Sequence, residues 1–334
     1  MSLPGIERLK GYVNLPIIMA PMFLVSNTNM VINACKSGIL GSFPALNART
    51  EETLDNWMKE INEELKAYET IMPDKKVAPW AVNFIAHRTN KRYREDLGLI
   101  KKHQPPIVIT SLGDPSPVVQ VVQDYGGLVF SDVINIKLAK KAIEKGSDGL
   151  ILISAGAGGH GGTYNPFAFI HEVRTFWDGP IILGGGLTKG EDILAAEAAG
   201  ADFVYMGSNF IPSTESTAVP GYKQMVVDSS IEDIIYTDVF SGINANYLIP
   251  SIVKAGIDVN QLEDMKRADI SKIGKADVKA WKDIWGAGQG IGAIKNQLSV
   301  AEIVDELQKE YLQAKERVIV NSREMGVPSY PPIH

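Results

Sequence analysis

The fold of this chain is decided by the sequence LILISAGAGGHGG at residues 150–162. Its first four residues are apolar, which is typical of a strand buried on both faces of a parallel sheet. The glycine-rich remainder therefore lies in a loop at the carboxyl end of that strand. Because glycine has no Cβ, several backbone N–H groups of such a loop can approach one ligand and bind a phosphate or another anion.

Two further apolar runs end on glycine in the same way. The run 180–183 precedes Gly184, Gly185 and Gly186, and the run 203–205 precedes a loop that contains Met206, Gly207 and Ser208. Only the loop at 155–162 also contains a titratable ring, that of His160. Three glycine-containing strand ends with one imidazole predict a site that binds an anion and handles protons.

Buried-strand patterns alternate with helical segments along the first two thirds of the chain. Such alternation favours parallel pairing, and eight units in about 210 residues fit a closed α/β barrel, the (β/α)8 TIM barrel. An open doubly wound sheet is the alternative. The eight predicted strands are 16–19, 38–42, 80–84, 107–112, 127–133, 149–154, 180–184 and 203–207.

The alternation stops beyond residue 210. Residues 213–293 form polar, mostly helical segments broken by glycine and proline, and we expect a cap over one barrel face that contacts substrate and has no core of its own. Apolar residues at helical spacing from 300 to 318 predict a helix that packs back on the barrel. The predicted domains are a barrel of residues 1–212 plus about 294–334 and a helical cap of residues 213–293.

Composition excludes several classes of function. The 334 residues carry a formal charge of −6 and have no long basic run, which argues against nucleic acid or anionic membrane as the main partner. No apolar stretch reaches the roughly 20 residues that span a bilayer and no signal-peptide pattern is present, so we expect a cytoplasmic protein. The single Cys35 cannot form an internal disulfide and is expected to pack in the core. The sequence does not indicate an oligomeric state.

Barrel geometry indicates where a phosphate would bind. In TIM barrels the loops after strands seven and eight often bind phosphate, and here they are the loops at 184–186 and 206–208. Thr188 and Glu191 have the spacing of a capping box, which places a helix N-terminus and its positive dipole end beside the same loops. Alternatively, these glycines only relieve crowding at the barrel rim.

Two histidines are candidates for chemistry. His160 lies among glycines, and an imidazole with an ordinary pKa near 6.5 exchanges protons at neutral pH; a solvated loop residue is the alternative. His87 follows strand three and is the second candidate. Residues 156–161 match the dinucleotide fingerprint GxGxxG, but no helix opens in the loop and no acid follows the next strand, so the match is accidental. No residue spacing suggests a metal site.

The end of strand one is apolar. Ala20, Pro21 and Met22 suit the face of a flat conjugated ring, and Asn83 at the end of strand three could hydrogen-bond the polar edge of that ring. Rim packing is the alternative interpretation for these side chains.

Together these motifs resemble the nitronate monooxygenase family, long called 2-nitropropane dioxygenases, which are flavin-dependent barrels. The resemblance implies that the phosphate of FMN binds the loops at 184–186 and 206–208, and that His160 faces the flavin as the candidate base. A looser match at 285–290 implies that Gly288 and Gln289 approach the flavin from the cap. The resemblance rests on residues 19–22, 83, 158–161, 184–186 and 206–208.

The resemblance implies oxidation of alkyl nitronates by FMN and O2 to a carbonyl compound and nitrite. Where some relatives have lysine or threonine near the flavin, this chain has Ser131 and Ile85, and the roles of these two residues are not predicted. One alternative is an FMN-dependent NAD(P)H:quinone or enoyl-thioester reductase on the same barrel. A second alternative is a flavin-free barrel that binds a phosphorylated metabolite.

Overall fold

The computed structural model describes residues 5–262 and 281–325. Eight parallel strands form one sheet, and a bridge between Ile18 and Leu40 closes this sheet into a barrel. The TIM barrel is therefore confirmed against the open sheet. The strands are β1 (Ile17–Met19), β2 (Gly41–Pro44), β3 (Trp80–Ile85), β4 (Ile107–Ser111), β5 (Leu128–Val133), β6 (Gly149–Ile153), the short loop strand β7 (Gly159–His160), β8 (Ile181–Gly184) and β9 (Phe203–Met206). The eight strands of the barrel sheet follow the order β1-β9-β8-β6-β5-β4-β3-β2.

Successive residues of each barrel strand face opposite sides of the sheet. In β4, Ile107 and Ile109 belong to the cluster inside the barrel, whereas Val108 packs outward against the helices. Leu9 of α1 (Gly5–Tyr12) joins the inner cluster. The same cluster contains Ile107, the first residue of β4, so α1 lies at the amino ends of the strands. Helix α1 therefore closes the amino end of the barrel and leaves the carboxyl end open.

Helices follow the strands around the barrel. Several begin at side-chain caps; for example, Asn165 accepts hydrogen bonds from the N–H groups of Phe167 and Ala168 where α7 starts. The helices are α2 (Thr28–Lys36), α3 (Glu51–Ile71), α4 (Tyr93–His103), α5 (Ser116–Asp124), α6 (Ile136–Glu144), α7 (Pro166–Arg174), α8 (Gly190–Ala198), α9 (Pro220–Asp228), α10 (Ile249–Lys254) and α11 (Val300–Glu324).

The predicted capping box of Thr188 and Glu191 is wrong by one residue. Helix α8 begins at Gly190, and the carboxylate of Asp192 accepts hydrogen bonds from the N–H groups of Thr188 (2.7 Å) and Lys189 (2.9 Å). An acid can reach back to the helix start only from the third helical position. Because the helix starts later than predicted, that position belongs to Asp192.

Helix α11 packs back on the barrel, as the apolar spacing predicts. Glu310 accepts a hydrogen bond from the N–H of Gly190 (2.8 Å) and forms an ion pair with Lys189. Tyr311 donates a hydrogen bond to Glu197 at 2.8 Å. Helix α11 therefore covers α8 directly beside the loop that follows β8.

The described part of the predicted cap contains α9, α10 and an antiparallel pair of strands, β10 (Ile234–Thr237) and β11 (Ala245–Leu248). The sequence analysis did not predict this pair. The expectation that the cap has no core of its own is also wrong, because Val239, Tyr247 and Ile284 belong to a separate buried apolar cluster. Residues 263–280 of the predicted cap and 326–334 of the predicted barrel domain lie outside the described residues.

Cys35 is fully buried in the main core, as predicted. Within residues 5–262 and 281–325, no helix combines the length and apolar character needed to cross a membrane. The same residues contain no cluster of three or more histidine, cysteine or acidic side chains arranged to hold a metal ion.

Candidate active site

A cavity of about 650 Å³ opens at the carboxyl end of the barrel. Residues at the ends of all eight barrel strands line it, together with residues of the cap. Most of the site residues predicted from the sequence meet here, since parallel strands bring their carboxyl ends to one rim. The predicted residues in the lining are Ala20, Pro21, Met22, Asn83, Gly158, His160, Gly184, Gly185, Gly186, Gly207, Ser208 and Gly288.

Three predicted residues do not line the cavity. Met206 is fully buried and packs outward in the main core, because the preceding residue, Tyr205, takes the cavity-facing position of β9. The ring of His87 turns to Thr89 of its own loop, 3.0 Å away. Gln289 is exposed, and its N–H donates to the carbonyl of Gly156 at 2.9 Å.

The loop after β8 is built for close backbone approach. Gly185 and Gly186 have φ values of +147° and +71°, and a Cβ on Gly185 would lie 2.0 Å from Oγ of Ser154. The N–H groups of Gly185, Gly186, Gly207 and Ser208 donate no hydrogen bond to another described residue. These four N–H groups are the donors that a phosphate requires.

A glycine turn of the cap lies directly on these loops. Gly288 donates its N–H to Oγ of Ser208 at 2.9 Å, and Thr188 donates its hydroxyl to the carbonyl of Gly290 at 3.1 Å. A Cβ on Gly288 would lie 2.8 Å from the carbonyl oxygen of Gly156. The turn therefore joins the histidine loop, residues 155–162, to the loops after β8 and β9.

His160 lies where the histidine loop meets the cap. Its Nε2 is 3.1 Å from Oγ of Ser241, and its ring packs edge-on against Trp281 with 5.3 Å between ring centres. Desolvation by these neighbours lowers the pKa of His160, although part of the residue remains exposed in the cavity. A lowered pKa makes the ring neutral at pH 7, so it can accept a proton as well as donate a hydrogen bond.

The carboxyl ends of β3, β4 and β5 carry a polar network. Nδ2 of Asn83 donates to Oγ of Ser111 at 2.7 Å, and that hydroxyl donates to Oδ2 of Asp132. Oδ1 of Asp132 is buried without a hydrogen-bond partner among the described residues. Burial raises the pKa of Asp132 to about 7, against the lowering effect of the Ser111 hydrogen bond.

Sequence reasoning missed Asp132 and Ser111. The available signal was an acid inside the mostly apolar run LVFSDV at 128–133, at the carboxyl end of a predicted barrel strand. Ser131 and Ile85 both line the cavity. The hydroxyl of Ser131 lies 2.7 Å from those of Thr110 and Ser147, which indicates a structural role between strands.

These residues fit a flavin nucleotide. The loops after β8 and β9 provide N–H donors for an anionic tail, and no described residue accepts from these donors. Pro21 and Met22 provide apolar surface for a ring. The unpartnered Oδ1 of Asp132 provides a polar group for the edge of a heterocycle. The cavity volume lies within the range of cofactor-binding clefts.

The fold and the site define the class of this protein as a TIM-barrel enzyme in which a glycine-rich rim and an imidazole surround one cavity. Residues 7–310 match the sequence profile described as nitronate monooxygenase, and the chain belongs to that family. It is a flavin oxidoreductase.

Individual relatives are distant. A nitronate monooxygenase of Paraburkholderia phytofirmans is 26% identical over 92% of this chain and 94% of its own length. FabK from Thermotoga maritima has a similar fold, with a TM-score of 0.74 and 24% identity over 92% of this chain and 96% of that chain. Nitroalkane oxidase from Streptomyces ansochromogenes has a TM-score of 0.74 and 23% identity over 93% of this chain and 99% of that chain.

Proposed function

We propose that this enzyme oxidises alkyl nitronates with FMN and O2 to a carbonyl compound and nitrite. The observation that carries the proposal is the position of His160: a neutral imidazole shares one cavity with the glycine loops after β8 and β9. The family profile over residues 7–310 supports the same chemistry.

In this proposal FMN binds by its phosphate to the N–H groups of Gly185, Gly186, Gly207 and Ser208. Each charge-assisted hydrogen bond contributes on the order of 1.5–3 kcal/mol, so a few of them hold the cofactor without a covalent bond. Residues 20–22 and Asn83 contact the ring. The bound flavin supplies the electron-accepting chemistry of the reaction.

The protein contributes orientation and proton handling. A nitronate is a small anion, and His160 can donate a hydrogen bond to it from the ring nitrogen that takes up a proton. In this proposal the described cap residues, 213–262 and 281–293, lie over the substrate, and residues 5–212 and 294–325 belong to the barrel domain. The partners are small molecules rather than nucleic acid or membrane, and we assign the reaction to the cytoplasm.

Anaerobic mixing tests the reaction. The FMN-loaded protein is mixed with ethylnitronate and, separately, with NADH, while the visible absorbance of the flavin is followed. We expect ethylnitronate to bleach the flavin. Bleaching by NADH alone would favour the quinone or enoyl-thioester reductase, and a protein that does not bind FMN would favour the flavin-free barrel.

The substitution His160→Asn tests the role of the imidazole. Without acid–base catalysis by His160, flavin reduction by nitronate should slow by about 10²–10⁴-fold. The flavin should remain bound, because the phosphate loops are unchanged. His171→Asn, on the exposed surface of α7, is the matched control and should leave the rate unchanged. Full activity of His160→Asn would show that another residue handles the proton.

A further inference from the structure

The cap residue Ser241 forms a hydrogen-bond junction beside His160. Its Oγ lies 2.9 Å from the carbonyl oxygen of Ile243, 3.1 Å from Nε2 of His160, 3.2 Å from the hydroxyl of Tyr247 and 3.4 Å from the backbone nitrogen of Ile243. A serine hydroxyl has one hydrogen to donate and two lone pairs to accept with. A carbonyl oxygen can only accept, so the single hydrogen of Ser241 is committed to Ile243.

The other three contacts must then reach Ser241 as donors that share its two lone pairs, and the N–H of Ile243 makes the longest of them at 3.4 Å. The hydroxyl of Tyr247 donates to it, and Nε2 of His160 must also carry a hydrogen. In a neutral imidazole only one ring nitrogen is protonated. A hydrogen on Nε2 therefore leaves a free lone pair on Nδ1.

We propose that Ser241 is a positioning residue that holds His160 in the Nε2–H tautomer and leaves Nδ1 as the nitrogen that binds a proton when the ring becomes charged. The use of Nδ1 in turnover rests on the proposed function, whereas the tautomer itself does not. When Nδ1 gains a proton, Nε2 still donates to Ser241. The junction therefore serves both protonation states without rearrangement.

The surroundings keep this junction rigid. Tyr247 is fully buried, and its ring packs against those of Trp281 and Phe240, with centres 5.2 Å and 5.1 Å away. Burial raises the pKa of Tyr247, so its hydroxyl stays a donor at neutral pH. Asp238 and Tyr236 are the other titratable groups between residues 234 and 248, and the hydroxyl of Tyr236 donates to the carbonyl of Gly161 at 2.8 Å. Burial raises its pKa as well.

Nitrogen NMR of the FMN-loaded protein, labelled with ¹⁵N only in histidine, reports the tautomer directly without substrate. The signals of His160 are those that disappear in His160→Asn. We expect the Nε2–H form in the unsubstituted protein above the pKa of the ring. Ser241→Ala should give a mixture of tautomers, and Ser241→Thr, which keeps the hydroxyl, should restore the Nε2–H form. A dominant Nδ1–H form, or a Ser241→Ala spectrum with unchanged tautomer populations, would overturn the proposal.

Kinetics separates this inference from the proposed function. In Ser241→Ala we expect kcat with nitronate to fall about tenfold with little change in KM, because the ring loses one hydrogen bond. The acid limb of the kcat/KM profile should move to lower pH, because the imidazolium loses an acceptor. If NMR shows the expected tautomers but kcat is unchanged, the positioning by Ser241 stands and the assignment of His160 as the base fails.

Discussion

At the scale of single residues, Asp132 is the group whose ionisation depends most on the fold. An aspartate in an unfolded chain has a pKa near 3.9, whereas burial raises the pKa of Asp132 to about 7. The folded state therefore favours the protonated carboxyl. Its stabilising contribution is fully present below about pH 3.9 and is lost as the pH rises through about 7.

The substitution Asp132→Asn should remove this loss of folding stability with rising pH. An amide cannot ionise, so the free energy of unfolding should fall less between about pH 5 and pH 8 than in the unsubstituted protein. The difference should be about 2–4 kcal/mol, measured by urea unfolding at both pH values. Asp74→Asn, at an exposed position, is the control and should leave the pH dependence unchanged. Equal pH slopes for Asp132→Asn and the unsubstituted protein would contradict the buried-carboxyl account.

At the scale of elements, the turn after β8 depends on glycine for both conformation and space. In Gly185→Ala the new Cβ would meet Oγ of Ser154, which donates to the carbonyl of Gly184, and φ of +147° is strained for alanine. We expect FMN affinity to fall about 10–100-fold, because the N–H groups that bind the phosphate move. Fluorescence titration with FMN measures the change. Gly98→Ala, a helical position with open space around it, should bind FMN normally.

The contact between α8 and α11 also depends on glycine. A Cβ on Gly190 would lie 2.2 Å from the backbone nitrogen of Tyr311, so Gly190→Ala must displace α11. We expect a loss of about 1–3 kcal/mol in the free energy of unfolding. Gly11→Ala, in open space on α1, should cost nothing comparable in the same urea unfolding assay. A Gly190→Ala protein as stable as Gly11→Ala would mean that the helices adjust without loss of packing.

At the scale of the whole molecule, cofactor binding should stabilise the barrel and cap together. In the cap, the N–H of Gly288 donates to Ser208. No described residue accepts a hydrogen bond from the N–H groups of Gly185 and Gly186. The ligand and the cap therefore contact the same loops. FMN at a hundred times its Kd should add about 2.7 kcal/mol. For a protein of this size that raises Tm by roughly 4 °C. Differential scanning calorimetry with FMN, and with inorganic phosphate as the control, measures the shift; no rise with FMN would favour the flavin-free barrel.

The sequence by itself determined the barrel, because a strand buried on both faces and a helix with one apolar face each have a local periodicity. Seven of the eight strands lie within two residues of their predicted bounds, and the second starts three residues late, at Gly41. Parallel strands bring their carboxyl ends together, so His160 and the glycine loops were predictable as one site. The sequence also indicated the core position of Cys35.

Only the tertiary structure decided which polar atoms meet. Ser241 lies 81 residues from His160, and Ser111 lies 21 residues from Asp132. No periodicity links such pairs. The antiparallel pair β10 and β11 forms in a segment without a strict alternation of apolar and polar residues, and Asn246 of β11 donates to the carbonyl of Ala157 in the histidine loop. Side-chain ionisation and tautomer follow from burial and long-range hydrogen bonds, which exist only after the chain has folded.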